Sequence, residues 1–218
     1  MARDSRDTAA EDTAPEAEDT APEAGEESRA GHGPWDYDNR PLDDDDPRLI
    51  DLGSLILVGH PDVGVQLAGT GEGEAQVIHA AVLFAGESAL ELRVFAAARS
   101  GAVWDELRPE IIDEITSADG SYEHRHGPWG PEILARVPVK TEDERPAIQA
   151  SRIIGIDGPR WFLRATVLGE QAQHPSDEGL LMDALCDVVV NRGHEARMVR
   201  EPLELTVPES AIRNDGGP

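Results

Sequence analysis

The sequence is short of cysteine, lysine, aromatic rings and long apolar runs, and each shortage narrows what the chain can be. Cys186 is the only cysteine among 218 residues, so an internal disulfide is impossible and no cluster of thiolates can hold a metal. Its neighbours Leu185 and Val188 mark it as a core thiol rather than a nucleophile. No stretch approaches the roughly 18 uninterrupted apolar residues of a membrane-spanning helix, and Met1-Ala2-Arg3-Asp4 opens no apolar signal-peptide core. The cytoplasm is the expected location. Basic residues number 19 against 44 acidic ones, for a formal charge of −25. Such a charge repels phosphate backbones and anionic headgroups, so neither a nucleic-acid nor a membrane partner is expected. Lys140 is the only lysine; arginine in its place, with abundant alanine and glycine, fits a GC-rich genome, the alternative being a halophile's acidic surface.

Motifs of established chemistry are also missing. There is no Gly-x-Ser-x-Gly elbow, no His-Glu-x-x-His and no Walker sequence. The glycine-rich run Gly69-Thr70-Gly71-Glu72-Gly73-Glu74 carries two glutamates, lacks the P-loop lysine and precedes a strand-like segment, so it reads as a connector. No cofactor is expected.

The first 48 residues read as an arm. From Ala2 to Arg48 there are sixteen acidic residues against five arginines, and Glu11-Asp12-Thr13-Ala14-Pro15-Glu16-Ala17 recurs as Glu18-Asp19-Thr20-Ala21-Pro22-Glu23-Ala24. Without apolar periodicity such a chain cannot offset its ordering entropy, and disorder over 1–48 is the expectation. Trp35 and Tyr37, in His32-Gly33-Pro34-Trp35-Asp36-Tyr37, interrupt the pattern. Aromatics are costly to expose, so the pair either folds back on its own domain or is a docking motif for another protein. Asp43 to Asp46 is a contiguous acidic run without the spacing of a calcium loop.

From Leu49 the patterning changes to that of an α+β domain ending near residue 208, with 209–218 as a flexible tail. Leu49 to Val58 and Gly64 to Ala68 read as two short strands. Ala75 to Ala85 and Ala89 to Phe95 form a hairpin, Val103 to Thr116 a helix, and Glu132 to Val139 a closing strand. The order repeats in Ile148 to Ile156, Trp161 to Val167, a helix from Ser176 to Asn191, and a closing strand from Leu203 to Val207. Leu92-Arg93 aligns with Leu163-Arg164, and Val137-Pro138 with Val207-Pro208. The expectation is therefore an internal duplication, units 75–139 and 148–207, sharing one mixed or antiparallel sheet with both helices on one face.

Two constellations could carry chemistry. His124 and His126 would share one face of a strand, the spacing of some zinc sites, but no third ligand is identifiable. Arg93 and Arg164 are equivalent under the proposed repeat and would flank one anion-binding point; the bland alternative is two structural ion pairs. Three segments, Gly33-Pro34-Trp35-Asp36, Asp157-Gly158-Pro159-Arg160-Trp161-Phe162-Leu163-Arg164 and Pro202-Leu203-Glu204-Leu205-Thr206-Val207-Pro208, resemble the actinobacterial family called domain of unknown function 3710. The resemblance implies a high-GC actinobacterial origin and carries over no catalytic residue. The reading reached is a non-enzymatic protein-interaction or adaptor domain with an unidentified protein partner. The alternative is an enzyme or small-anion-binding protein using Arg93 and Arg164.

Overall fold

The computed structural model describes residues 32–43, 45–71, 77–99, 101–141 and 143–208. The acidic repeat and the C-terminal tail lie outside the described residues. The strands are β1 (Trp35–Asp36), β2 (Leu49–Asp51), β3 (Leu55–Val58), β4 (Gly64–Thr70), β5 (Val77–Ala85), β6 (Ser88–Ala96), β7 (Ser121–Gly127), β8 (Gly130–Lys140), β9 (Pro146–Gly158), β10 (Trp161–Gly169) and β11 (Val189–Val190). The helices are α1 (Val103–Ser117), α2 (Glu170–Gln173) and α3 (Leu180–Asp187). Seven strands form one antiparallel sheet in the order β4-β5-β6-β10-β9-β8-β7, and four short ones form a second in the order β1-β11-β3-β2. The α+β expectation holds.

Alternation explains the large sheet. Along β6, Leu90, Leu92, Val94 and Ala96 are buried on one face, while Ala89, Glu91, Arg93 and Phe95 point to the other and are half-buried. Register carries this division across the sheet: Leu92 opposes Ala165, which opposes Ile154, which opposes Glu132. Onto that face pack α3, through Leu181, Met182, Ala184 and Leu185, and the small sheet, through Leu55, Leu57 and Val190. The opposite face takes α1, whose Val103, Trp104, Ile111 and Ile115 pack on Phe162, Ile133 and Ala135. Since Ala102 offers no side-chain cap, the first amides of α1, Val103 and Trp104, donate to the Asp157 carboxylate at the end of β9 (3.0 and 3.3 Å).

Five expectations need correction. The single strand expected over 49–58 is two, β2 and β3, paired antiparallel in the small sheet. The helices lie on opposite faces of the sheet, because the chain leaves β6 toward one face and β10 toward the other. The helix expected over 176–191 is confined to α3, since Val188-Val189-Val190 is β-branched and enters the small sheet between β1 and β3. The closing strand at 203–207 does not form. Where β5 and β6 separate, the segment crosses the gap instead: Leu203 donates to Val94 O, Leu205 to Ile78 O and Thr206 to Leu52 O, each at 2.9 Å. Pro202 and Pro208 lack the N–H groups that a continuous ladder needs. Val207 is thus not equivalent to Val137, which sits in the β8–β9 ladder. Finally, residues 33–40, placed in the arm by composition, belong to the fold through β1.

Candidate functional site

Arg93 and Arg164 are direct cross-strand partners on β6 and β10, on the face that carries α1. Arg93 is a bidentate donor to Glu91, Nε at 2.8 Å and Nη2 at 3.1 Å. Arg164 makes no hydrogen bond to a described residue; its Nε is buried without a partner, and its guanidinium stands 6.0 Å from the Phe95 ring centroid. Burial, and after it the charge of Arg93, pushes the Arg164 guanidinium down from its ordinary value, against Glu91 and Glu114. Like charges directly opposed across strands are unfavourable. Both arginines are half-buried beside α1, whose Glu114 carboxylate acts on Arg164.

His124 and His126 both point to the α1 face from β7, an edge strand, and both are exposed. The Tyr122 ring meets His124 edge-on at 5.3 Å. Among the described residues no group of three potential metal ligands forms.

Trp35 and Tyr37 flank Asp36, and Asp36 is what fastens this segment. One carboxylate oxygen accepts the indole N–H of the buried Trp161 (2.7 Å), the other the backbone N–H of Asp38 (3.0 Å). Trp129 adds a second anchor, its indole N–H donating to Gly33 O (2.7 Å). Trp35 donates its backbone N–H to Val188 O (2.8 Å) and stacks under the Arg40 guanidinium at 4.7 Å. Tyr37 is exposed at the mouth of a cleft.

That cleft, about 390 Å³, lies between the Tyr37–Asn39 turn, the β9–β10 turn and the loop after β11; Asp36, Asp38, Arg160, Arg192 and His194 contribute to its wall. Trp161 opposes Gly158, so Pro159 and Arg160 are the two residues of the turn, and Arg160 has φ 62°. Proline followed by a positive φ is the type II pattern, whose second central position favours glycine or asparagine. An arginine there costs about 1–2 kcal/mol in backbone strain. Arg192 is pinned by its own loop, Nη1 donating to the carbonyls of Gly193 and Glu195, while its Nε is buried without a partner. Of the fourteen described arginines, ten lie within 4.0 Å of a carboxylate. The other four are Arg99, Arg160, Arg164 and Arg192, and two of them line this cleft.

Sequence reasoning missed a buried charge network on the α3 face. Arg152 and Glu132, 1% and 0% exposed, form a bidentate pair at 2.8 and 2.9 Å. Arg125 adds a bond to Glu132 (2.8 Å), and both arginines hold Asp177 (2.6 and 2.7 Å). The hydrogen bond from Arg125, then that from Arg152, holds the Asp177 carboxyl below the usual range, against partial burial. Alternation contained the signal: Glu132 shares a strand face with Leu134, and Arg152 with Ile154. Two charges of opposite sign on the inward face of neighbouring strands point to a pair.

The family model for Protein of unknown function (DUF3710) matches residues 33–214, more than four-fifths of the chain. The chain belongs to that family, and the match takes in β1 and the whole cleft. No curated protein matches the chain. No helix among the described residues is long and apolar enough to cross a membrane.

Proposed function

We propose that this chain is a non-enzymatic protein-interaction domain that takes up an extended segment of a partner protein along β4. One observation carries the reading. β4 is the outer strand of the large sheet, and from Val63 to Thr70 it has no charged residue, in a chain that is 29% charged. Edge strands are ordinarily protected by charge, proline, a bulge or cover, because their outward N–H and C=O groups template another strand; β4 has a register shift only at Ala68–Gly69, which leaves Gly64 to Ala68 regular. The opposite edge, β7, has such protection in Glu123, His124, Arg125 and His126. Val65 on β4 is 37% exposed and Phe84 on the neighbouring β5 40%, giving an added strand apolar contacts as well as main-chain bonds. The acidic N-terminal segment serves solubility and adds to partner choice. A cytoplasmic setting and an actinobacterial origin complete the proposal, and the repeat is confined to the hairpins β5–β6 and β9–β10. Peptide-display selection against the folded domain, followed by amide mapping of the selected binders, tests it. Perturbations confined to β4 and β5, and lost in Gln66→Lys with an unchanged melting temperature, are expected. Binders that map to other surfaces refute it.

A second reading, anion binding by Arg93 and Arg164, is favoured by the unpartnered Arg164 guanidinium. It ranks second because Glu91 and Glu114 already balance the pair.

A further inference from the structure

We infer that the cleft beside the β9–β10 turn is a binding site for a small carboxylic acid, with Arg160 and Arg192 as its anion-binding groups. The inference is independent of strand addition at β4, which lies on another part of the sheet.

Three observations converge on it. Arg160 holds a turn position for which glycine is the relaxed choice. A strained residue that lines a cleft points to a role for its side chain, and neither an ion pair nor a hydrogen bond from that side chain to a described residue supplies one. Arg192 is fixed by two loop carbonyls yet keeps a buried Nε without an acceptor. That Nε is closed off even to water, so the donor that Arg192 can offer an anion is Nη2, which makes no hydrogen bond to a described residue. Nor is the missing acceptor supplied from inside the cleft. Both oxygens of Asp36 are engaged, by the indole of Trp161 and the amide of Asp38, and the Asp38 side chain makes no ion pair with a described residue.

Size and charge select the ligand class. A volume of about 390 Å³ is at the small end of ligand sites. Arg160 offers the planar fork that matches a carboxylate, and Arg192 a single donor, Nη2. Asp36 and Asp38 add negative charge to the wall, which disfavours a phosphate dianion more than a singly charged carboxylate. The free carboxylate of Asp38 also suits a ligand with an ammonium group, so an amino acid is the favoured form of the acid.

Trp161 supplies the readout, because its indole N–H is bonded to Asp36 in the cleft wall. The full chain, labelled with nitrogen-15, is titrated with glutamate, succinate, acetate and inorganic phosphate, each against sodium chloride at matched ionic strength. The expected result is a saturable shift of the Trp161 indole signal and of the amides of residues 160 and 193, with a dissociation constant for glutamate on the order of 1 mM or tighter. Arg160→Gly relaxes the turn, so it should melt no lower than wild type while binding roughly tenfold or more weakly; Arg192→Met should weaken binding similarly. The inference is overturned if none of the three carboxylic acids gives a saturable shift beyond that of chloride, if phosphate binds more tightly than they do, or if Arg160→Gly binds like wild type. It is equally overturned if Arg160→Gly lowers the melting temperature, since Arg160 would then be structural.

Discussion

Replacing Arg152 by methionine keeps most of the side-chain volume and removes the charge. Glu132, fully buried, then keeps only the single bond from Arg125, and Asp177 loses one of its two arginines. Removing one partner of a buried ion pair costs about 3–5 kcal/mol. The surviving Arg125 bond puts the expected value at the lower end, about 3 kcal/mol. For a chain of this size that lowers the melting temperature by about 6–12 °C. Replacing both partners, Arg152→Met with Glu132→Leu, removes the two desolvated charges together and leaves Arg125 and Asp177 paired with each other. The double variant should therefore recover most of the loss, since apolar substitution of a whole buried pair is often neutral. Calorimetry of wild type, the two single variants and the double variant reads this as non-additivity. A double variant less stable than both singles, or Arg152→Met melting within about 2 °C of wild type, refutes the argument that Glu132 depends on Arg152.

The same assay reaches the Trp161 anchor. Trp161→Ala empties a site among Leu163, Ala165, Leu181 and Leu185 and should cost about 3–5 kcal/mol in chemical denaturation; a loss below about 1 kcal/mol would show that the indole is not a core residue. Asp36→Ala leaves the Trp161 N–H buried without an acceptor and should cost about 1–3 kcal/mol, with β1 amides exchanging faster than those of β10; equal exchange rates would show that Asp36 does not hold β1. Gly155→Ala directs a Cβ into the indole of Trp104, so the variant should lose helix α1 protection, and unchanged near-ultraviolet circular dichroism contradicts that packing. Because the Asp177 carboxyl is depressed in the fold, it contributes stability that is complete above its unfolded pKa, about 3.9, and lost as the pH falls through the lower folded value. The stability gap between wild type and Asp177→Asn should therefore close only below about pH 4; a gap that closes nearer neutrality assigns it to another group.

Local pattern made the hairpins and α1 legible. Alternation in Ala89 to Phe95 and Trp161 to Val167, and the spacing of Trp104, Ile111 and Ile115, need no knowledge of what lies opposite. What stayed hidden depends on partners distant in sequence. β1 is two residues in an acidic context, and it is a strand because Trp161 and Trp129 reach it across 125 and 96 positions. β11 continued an apparently helical apolar pattern, and only the gap between β1 and β3 makes it extended. The final segment had the composition of a strand but joins β5, β6 and the small sheet at single points. For the sites, the repeat brought Arg93 and Arg164 to notice, whereas Arg160 entered only within a resemblance and Arg192 not at all, because no motif joins residues 32 apart on a turn and a loop.

The imbalance of charge sharpens the meaning of the unpaired arginines. With 44 acidic residues against 19 basic ones, carboxylates are abundant on the surface and guanidinium groups are the limiting partner. Random placement would leave carboxylates unpaired far more often than arginines, and most described arginines do have a carboxylate. An exposed arginine such as Arg99 needs no partner, because water serves it at little cost. Arg164 and Arg192 are different, each having a buried Nε without an acceptor, and Arg160 is held at a backbone cost. In a chain so rich in acids, a substitution supplying a nearby carboxylate would be an easy route to satisfying Arg160 and Arg192. Arg164 has the Glu91 and Glu114 charges near it, whereas Arg160 and Arg192 meet no carboxylate among the described residues and line a cleft with room for one.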